Sequence, residues 1–448
     1  MQAETKIILP PTPFGASLAV TALVLGAGGE FFEVNYDPEG LIFARSYLEP
    51  EIWKKRIIEA LKKPEKKEER EKGRKKREER QMRIPFIPGA PPGTDGHVLK
   101  EKLEIWRGSL KADERENILG ALLEFLDKSN FPKGLYQKIS PGKDFRIELG
   151  GDDVEPPRLV IGEGFYELGK FHGIKDLKPG RPSFGKVELR MRKDYSALLY
   201  ASLLSFQVAF EDGRRPTYIF MTLSIDPGTV LQSRSLDLLR ETFKCTLKFT
   251  RKQGFFAIYT DPEAYRLALI YRILGRHAGK LEMFFEDLRR CGIKITSFSK
   301  SGRRFFKVSE ISIIFSEIST LGRAMKSMGI EEKDIEDIAY ALSSLLISSV
   351  HLSKLSKNPT PYEALRISLK ALARAIMETN LKAALDEIYG IMRRLKVEEV
   401  RLSMVGKSTD VERDFMEVEE KEEMKREELF KEEMKRILRL ERTLVRMV

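Results

Sequence analysis

Four cations, Arg240, Lys244, Lys248 and Lys252, recur at steps of four in a stretch whose apolar residues Leu239, Phe243 and Leu247 take the adjoining face of a predicted helix. Like charges at that spacing repel one another by about 0.2–0.5 kcal/mol per pair. A polyanion lying along the stripe would offset that cost; an ordinary solvated face is the plain alternative. A second pattern alternates. Lys186, Glu188, Arg190 and Arg192 fall on one face of a predicted strand, and Val187, Leu189 and Met191 on the other. A third sits at the tip of a predicted hairpin, Lys300-Ser301-Gly302-Arg303-Arg304, flanked by Phe298, Phe305 and Phe306. Basic tips with aromatic neighbours can enter a groove or stack on unpaired bases, although core packing competes for the phenylalanines. Arg366, Lys370 and Arg374 repeat the spacing of four opposite a leucine stripe, and Arg393, Arg394 and Lys396 close the next predicted helix. Several such stripes in one chain make the case for a polyanionic partner together.

Three stretches approach catalytic motifs and miss them. Leu25-Gly26-Ala27-Gly28-Gly29 has the glycines of a dinucleotide-binding turn, yet Phe31 occupies the third glycine position and a strand-turn-strand pattern follows where a helix is needed. Val405-Gly406-Lys407-Ser408-Thr409 ends like a phosphate-binding loop, but Arg401 stands at its first glycine and too little chain follows for the rest of the sheet. It reads better as a connector, with Ser408, Thr409 or Asp410 capping a last helix. Asp152, Asp153 and Glu155 are oxygen donors of the kind magnesium takes, but their glycine and proline neighbours fit a solvated turn. His172 and His277 lack an evident nucleophile or carboxylate partner in sequence and read as surface histidines. With 2 Cys and 4 His, a zinc cluster is not expected, no cofactor is implied, and Cys245 and Cys291 read as small apolar residues in a reducing compartment.

The whole chain is consistent with these stripes. Its 448 residues carry a net charge of +11, and a third of them are charged, which suits a polyanionic partner and also the composition of heat-adapted proteins. The one apolar run near the start, Ala16 to Gly29, is about fifteen residues long, short of the roughly twenty that a membrane span needs. It lacks a basic lead, so the expectation is a cytoplasmic protein with no targeting segment.

The elements that must position the stripes read as α+β, a mixed N-terminal and middle region followed by a C-terminal helical bundle. Residues 1–61 form an α/β start, with Asp37-Pro38-Glu39-Gly40 as a turn between strands. Residues 62–97, almost wholly Lys, Arg and Glu and then rich in Pro and Gly, read as a charged insertion or linker. A mixed region follows over 98–231, with helices at 112–129 and near Tyr195 to Ala209 among short strands. Residues 232–310 read as a helical region with the basic hairpin, and 311–409 as the bundle. There Ile335, Ile338, Leu342, Leu345 and Leu352 make one stripe, and Leu365, Leu369, Leu372 and Ile376 another. Residues 410–448, with KEEMKR repeated ten residues apart, read as one long charged helix.

The N-terminal residues Leu9-Pro10-Pro11-Thr12-Pro13-Phe14-Gly15, then Gly26-Ala27-Gly28-Gly29-Glu30 and Tyr36-Asp37-Pro38-Glu39-Gly40-Leu41, resemble the large subunit of the archaeal type I-A CRISPR Cascade complex. The resemblance covers about the first fifty residues as motif and the remainder as layout. It implies a subunit that is not itself a nuclease, helps recognise the short motif beside the target, and supports the opened DNA strands with its bundle. The partners it implies are guide RNA and target DNA, the Cascade backbone and small subunits, and a separate helicase-nuclease. No motif-reading residue transfers to a position here. The resulting expectation is a non-catalytic, RNA-guided DNA-binding protein that uses the basic stripes for phosphate contacts and leaves sequence to base pairing. A metal-dependent nuclease or nucleotide-hydrolysing accessory enzyme, and a scaffold whose charge serves heat stability alone, are the alternatives.

Overall fold

The apolar run near the N-terminus folds mostly into a helix of the interior. Pro13–Gly26 (α1) has apolar or small residues on every side, with no polar stripe to leave in solvent, and it is buried almost throughout. The buried hydroxyl of Thr21 is satisfied internally. Thr21 donates to the Ser17 carbonyl and accepts from the backbone N–H of Leu223 at 2.8 Å. The computed structural model describes residues 4–10, 12–27, 31–38, 40–62, 115–133, 137–140, 145–149, 154–155, 171–176, 183–211, 217–301, 304–355, 360–380, 382–391 and 393. The insertion at 63–97, the connector around Lys407, Arg394 and the predicted terminal helix lie outside them.

The fold is α+β. Strand Thr5–Ile8 (β1) precedes α1, and Phe31–Tyr36 (β2) and Ile42–Ser46 (β3) follow it as a hairpin around the expected turn, where Gly40 takes a φ of 79°. β3 lies between β1 and β2, the split β-α-β arrangement, and Thr229–Gln232 (β11) pairs antiparallel with β2 at the far edge. Helix Pro50–Leu61 (α2) packs on α1. Gly26 permits this approach, since a Cβ there would lie 2.4–2.7 Å from atoms of Ile57.

Arg115–Lys128 (α3) falls within the helical pattern read at 112–129. A second sheet runs Gln137–Ser140 (β4), Phe145–Leu149 (β5), Ser183–Arg192 (β8) and Val154–Glu155 (β6), with Phe171–Asp176 (β7) also on β8; β5 and β8 are parallel. Lys193–Phe206 (α4) leads into Gln207–Glu211 (β9), so the helix expected as far as Ala209 stops three residues early. Gln207 to Ala209 pair instead with Thr217–Ile225 (β10). The third sheet continues from β10 to the hairpin strands Cys291–Ser301 (β12) and Arg304–Ile314 (β13), all antiparallel where register is set along β10.

The structure divides into two compact units. The first comprises the residues up to Arg251 and Arg290–Ser312; the second comprises Lys252–Arg289 and the described residues from Ile313. The hairpin therefore belongs with the N-terminal sheets through β10, and the helices on either side of it belong to the second unit.

Ser233–Thr260 (α5) is broken at Gly254, which has φ 71° and ψ −176°, a conformation open only to glycine. In the second unit, Pro262–Arg276 (α6), Leu281–Glu286 (α7), Phe315–Ser327 (α8), Glu332–Leu355 (α9) and Thr360–Met377 (α10) pack as a helical assembly, and residues 382–391 are helical. Ile335, Ile338, Leu342 and Leu345 on α9 and Leu365, Leu369, Leu372 and Ile376 on α10 are buried, as the two stripes require, and the side chain of Leu352 lies outside the described set. Tyr271 Oη donates to the Ala373 carbonyl at 2.8 Å and ties α6 to α10.

Candidate nucleic-acid interface

The stripe on α5 is not uniform. Arg240 turns inward and its Nε donates to the Val24 carbonyl at 2.9 Å, while Nη1 lies 3.2 Å from Asp237. Val24 is among the last carbonyls of α1, which have no partner within that helix. Trp53 Nε1 serves the preceding carbonyl, Leu23, at 3.1 Å. A cation here also meets the negative end of the helix dipole. Burial pulls the Arg240 guanidinium below its usual range, Asp237 acts against that, and Arg56 on α2 adds like-charge repulsion. Arg240 is thus a helix cap and is not available to a phosphate.

Three turns along α5, Arg251 repeats the role. It donates to the carbonyls of Ser205 and Gln207 at the C-terminal end of α4, and burial lowers its pKa. Sequence reasoning passed over Arg251, which stands one place off the stripe. Its signal was an arginine on the apolar side of an amphipathic helix.

Lys244 and Lys248 remain. Both are exposed, one turn apart on the first unit's stretch of α5, and neither pairs with a carboxylate among the described residues. Lys252, the first residue of the second unit, is exposed as well. Arg56, exposed on α2 and close enough to Arg240 to repel it, is a further cation that the spacing argument did not reach.

The other patterns fare differently. β8 forms at the expected place, with Lys186 opposite His172 and Arg190 opposite Glu148 in register. The side chains of Lys186, Arg190 and His172 lie outside the described set. Arg192 is engaged: its Nε lies 2.7 Å from Asp194, and Nη1 donates to the Lys133 carbonyl at 2.7 Å. The hairpin forms too, but Phe298 is core, with its ring centroid 4.8 Å from Phe14 and 6.0 Å from Phe220. Arg303 and the side chains of Lys300, Arg304, Phe305 and Phe306 lie outside the described set.

On α10 the cations face acids. Arg366 Nε and Lys370 Nζ each lie 3.0 Å from Asp261 Oδ2, Lys370 is 3.5 Å from Glu263, and Arg374 bonds Glu263. Asp261 Oδ1 meanwhile accepts from the Ala264 N–H at 2.9 Å and caps α6. The stripe thus joins α10 to the start of α6. Arg393 is exposed in the helical segment beyond Asn380.

His277 is buried, 2% exposed, at the end of α6 with its ring centroid 5.4 Å from Phe284, so the surface reading does not hold for it. The glycines after α1 follow a helix where a dinucleotide turn would precede one. Asp152 and Asp153 lie outside the described set, and among the described residues no group of three or more His, Cys, Asp and Glu side chains could hold a metal ion. Cys291 is buried, and burial raises its thiol pKa, with Asp226 adding to the effect; Cys245 is half-buried. Among the described residues no helix is long and apolar enough to cross a membrane. No protein-family model matches the chain, and no curated protein matches it.

Proposed function

We propose that this chain binds nucleic acid without catalysing a reaction on it, as the large subunit of a type I-A CRISPR Cascade complex in the cytoplasm. The observation that carries the nucleic-acid part is the pair Lys244 and Lys248, two exposed ammonium groups one turn apart on a helix anchored on either side of them by the half-buried Arg240 and Arg251. Long cationic side chains held that close cost repulsion unless an anion lies between them. The phosphodiester backbone, with regularly spaced charges, supplies one. The net charge of +11 and the exposed Arg56 support the same partner. The Cascade part rests on the N-terminal resemblance, whose described residues include the start and end of α1, the last residue of β2 and the turn that follows it.

Two measurements test the reading. Reversing both charges, Lys244→Glu with Lys248→Glu, is expected to weaken DNA binding and to lower the slope of log affinity against log salt by about 1.4–1.8, at about 0.7–0.9 for each phosphate that the variant no longer neutralises. An unchanged slope removes α5 from the interface. Purification of the tagged protein from its host at moderate salt is expected to recover short repeat-derived guide RNAs, backbone subunits and a helicase-nuclease. Recovery of none of them overturns the Cascade assignment.

A further inference from the structure

The break at Gly254 turns out an aromatic pair. Phe255 and Tyr259 follow it one helical turn apart, their rings stacked with centroids 4.9 Å apart and planes within 23°. Phe255 is half-buried, whereas Tyr259 is 43% exposed, so the outer ring offers a face to solvent from a fixed inner support. The charge around the pair is positive. Lys252 is exposed three residues before Phe255, and just beyond Tyr259 the two carboxylates of Asp261 and Glu263 are met by three cations, Arg366, Lys370 and Arg374. Five cationic and anionic groups there leave a surplus of one, and Lys252 raises it to two. All of these residues lie in the second unit.

The first unit contains a contrasting pair. Phe31 and Tyr47 also stack, at 4.3 Å, but the neighbouring Arg45 is bound to both Glu4 and Glu33. Those three groups leave a net charge of −1, and a polyanion gains nothing.

We infer that Phe255 and Tyr259 form a base-stacking platform for single-stranded nucleic acid, with Lys252 and the cationic surplus beside Asp261 drawing in its backbone. The inference rests on the nucleic-acid reading above and names the strand state it would take at this place. An exposed ring beside positive charge matches an unpaired base, which joins a π face to an anion on one residue of the ligand. A duplex offers no such face, since its bases already stack on one another.

The test uses the full-length protein and fluorescently labelled probes of about sixteen nucleotides: oligo-dT, oligo-rU and a blunt DNA duplex. Wild type, Tyr259→Ala and Tyr259→Trp are compared by anisotropy at moderate salt. Tyr259→Ala is expected to weaken single-strand binding by about fivefold or more and to leave duplex binding unchanged. Tyr259→Trp is expected to retain affinity, with its indole emission quenched by the single strand. The dT and rU arms tell whether DNA or RNA is the better source of the base. Equal single-strand affinity for wild type and Tyr259→Ala overturns the platform alone, as does an equal loss for single strand and duplex. Failure of the wild type to bind any probe overturns the platform together with the nucleic-acid reading.

Discussion

The stripe on α5 and the stripe on α10 have the same grammar, cations at steps of four beside an apolar face, and different fates. On α5 the first cation caps a buried helix and the next two stand free in solvent; on α10 all three meet carboxylates. What differs is the neighbour. Arg240 lies over the C-terminal end of α1, where the last carbonyls, left without partners inside the helix, and the helix dipole both favour a cation. Arg366 and Lys370 lie over the N-terminal end of α6, where Asp261 already stands because a helix start favours an acid. Spacing along a helix fixes the face on which charges sit, and the end of the opposing helix decides whether they are used.

The sharpest way to break this comparison is to treat Arg240 as though it were Lys244. Arg240→Met keeps much of the side chain's volume and removes its donors, leaving the Val24 carbonyl to the single 3.2 Å bond from Ala27. A hydrogen bond from a charged donor contributes about 1.5–3 kcal/mol, so the urea transition of the first unit is expected to lose about 2 kcal/mol. Lys244→Met is expected to change it by less than about 0.5 kcal/mol, as an exposed site should. Equal losses at the two positions would mean that Arg240 does not act as a cap.

The α10 stripe answers to a double-mutant cycle. Asp261→Ala removes a cap and leaves Arg366 and Lys370 facing one another, for an expected loss of about 1–2 kcal/mol. Lys370→Ala alone is expected to lose less, because Arg366 still neutralises Asp261. The coupling between the two substitutions should come to about 0.5–1 kcal/mol, since the groups are in contact. Strict additivity would show that the 3.0 Å approach contributes nothing, and the stripe would then be as free for a ligand as Lys244 and Lys248.

Much of the fold was legible from local pattern. The turn at Asp37 to Gly40, helix α3, strand β8, the hairpin at its basic tip and both leucine stripes follow from periodicity and from glycine and proline punctuation. The reading failed where tertiary partners decide. Helix α4 ends at Phe206 because Gln207 to Ala209 gain a ladder with β10, which no window of sequence contains. The hairpin left the helices around it for the same reason, pairing with a strand about seventy residues earlier. At the candidate site, spacing put Lys244 and Lys248 on one stripe with Arg240 and could not separate the two exposed lysines from it, because its partner is a carbonyl 216 residues away. His277 had no sequence signal of burial beyond its position at the end of an apolar helix.

The smallest effect in the same comparison is at the surface, where Glu51 in the first turn of α2 meets two lysines. Lys54 Nζ lies 2.9 Å from it and Lys133 Nζ 3.1 Å, and their hydrogen bonds, Lys54's first, hold the Glu51 carboxyl below the usual range. A carboxyl whose pKa is lower folded than unfolded stabilises the protein above its unfolded value, about 4.3, and loses that contribution as pH falls through the folded one. Because Glu51 is half exposed, solvent screens the pair, and the contribution should reach only a few tenths of a kcal/mol, at most about 0.5. Glu51→Gln is therefore expected to lower the urea midpoint slightly at neutral pH and to match wild type in acid, once both chains are uncharged at this position. A deficit that grows as pH falls would reverse the sign and show that the lysines, Lys54 in particular through its 2.9 Å bond to the Ser129 carbonyl, are held without help from Glu51.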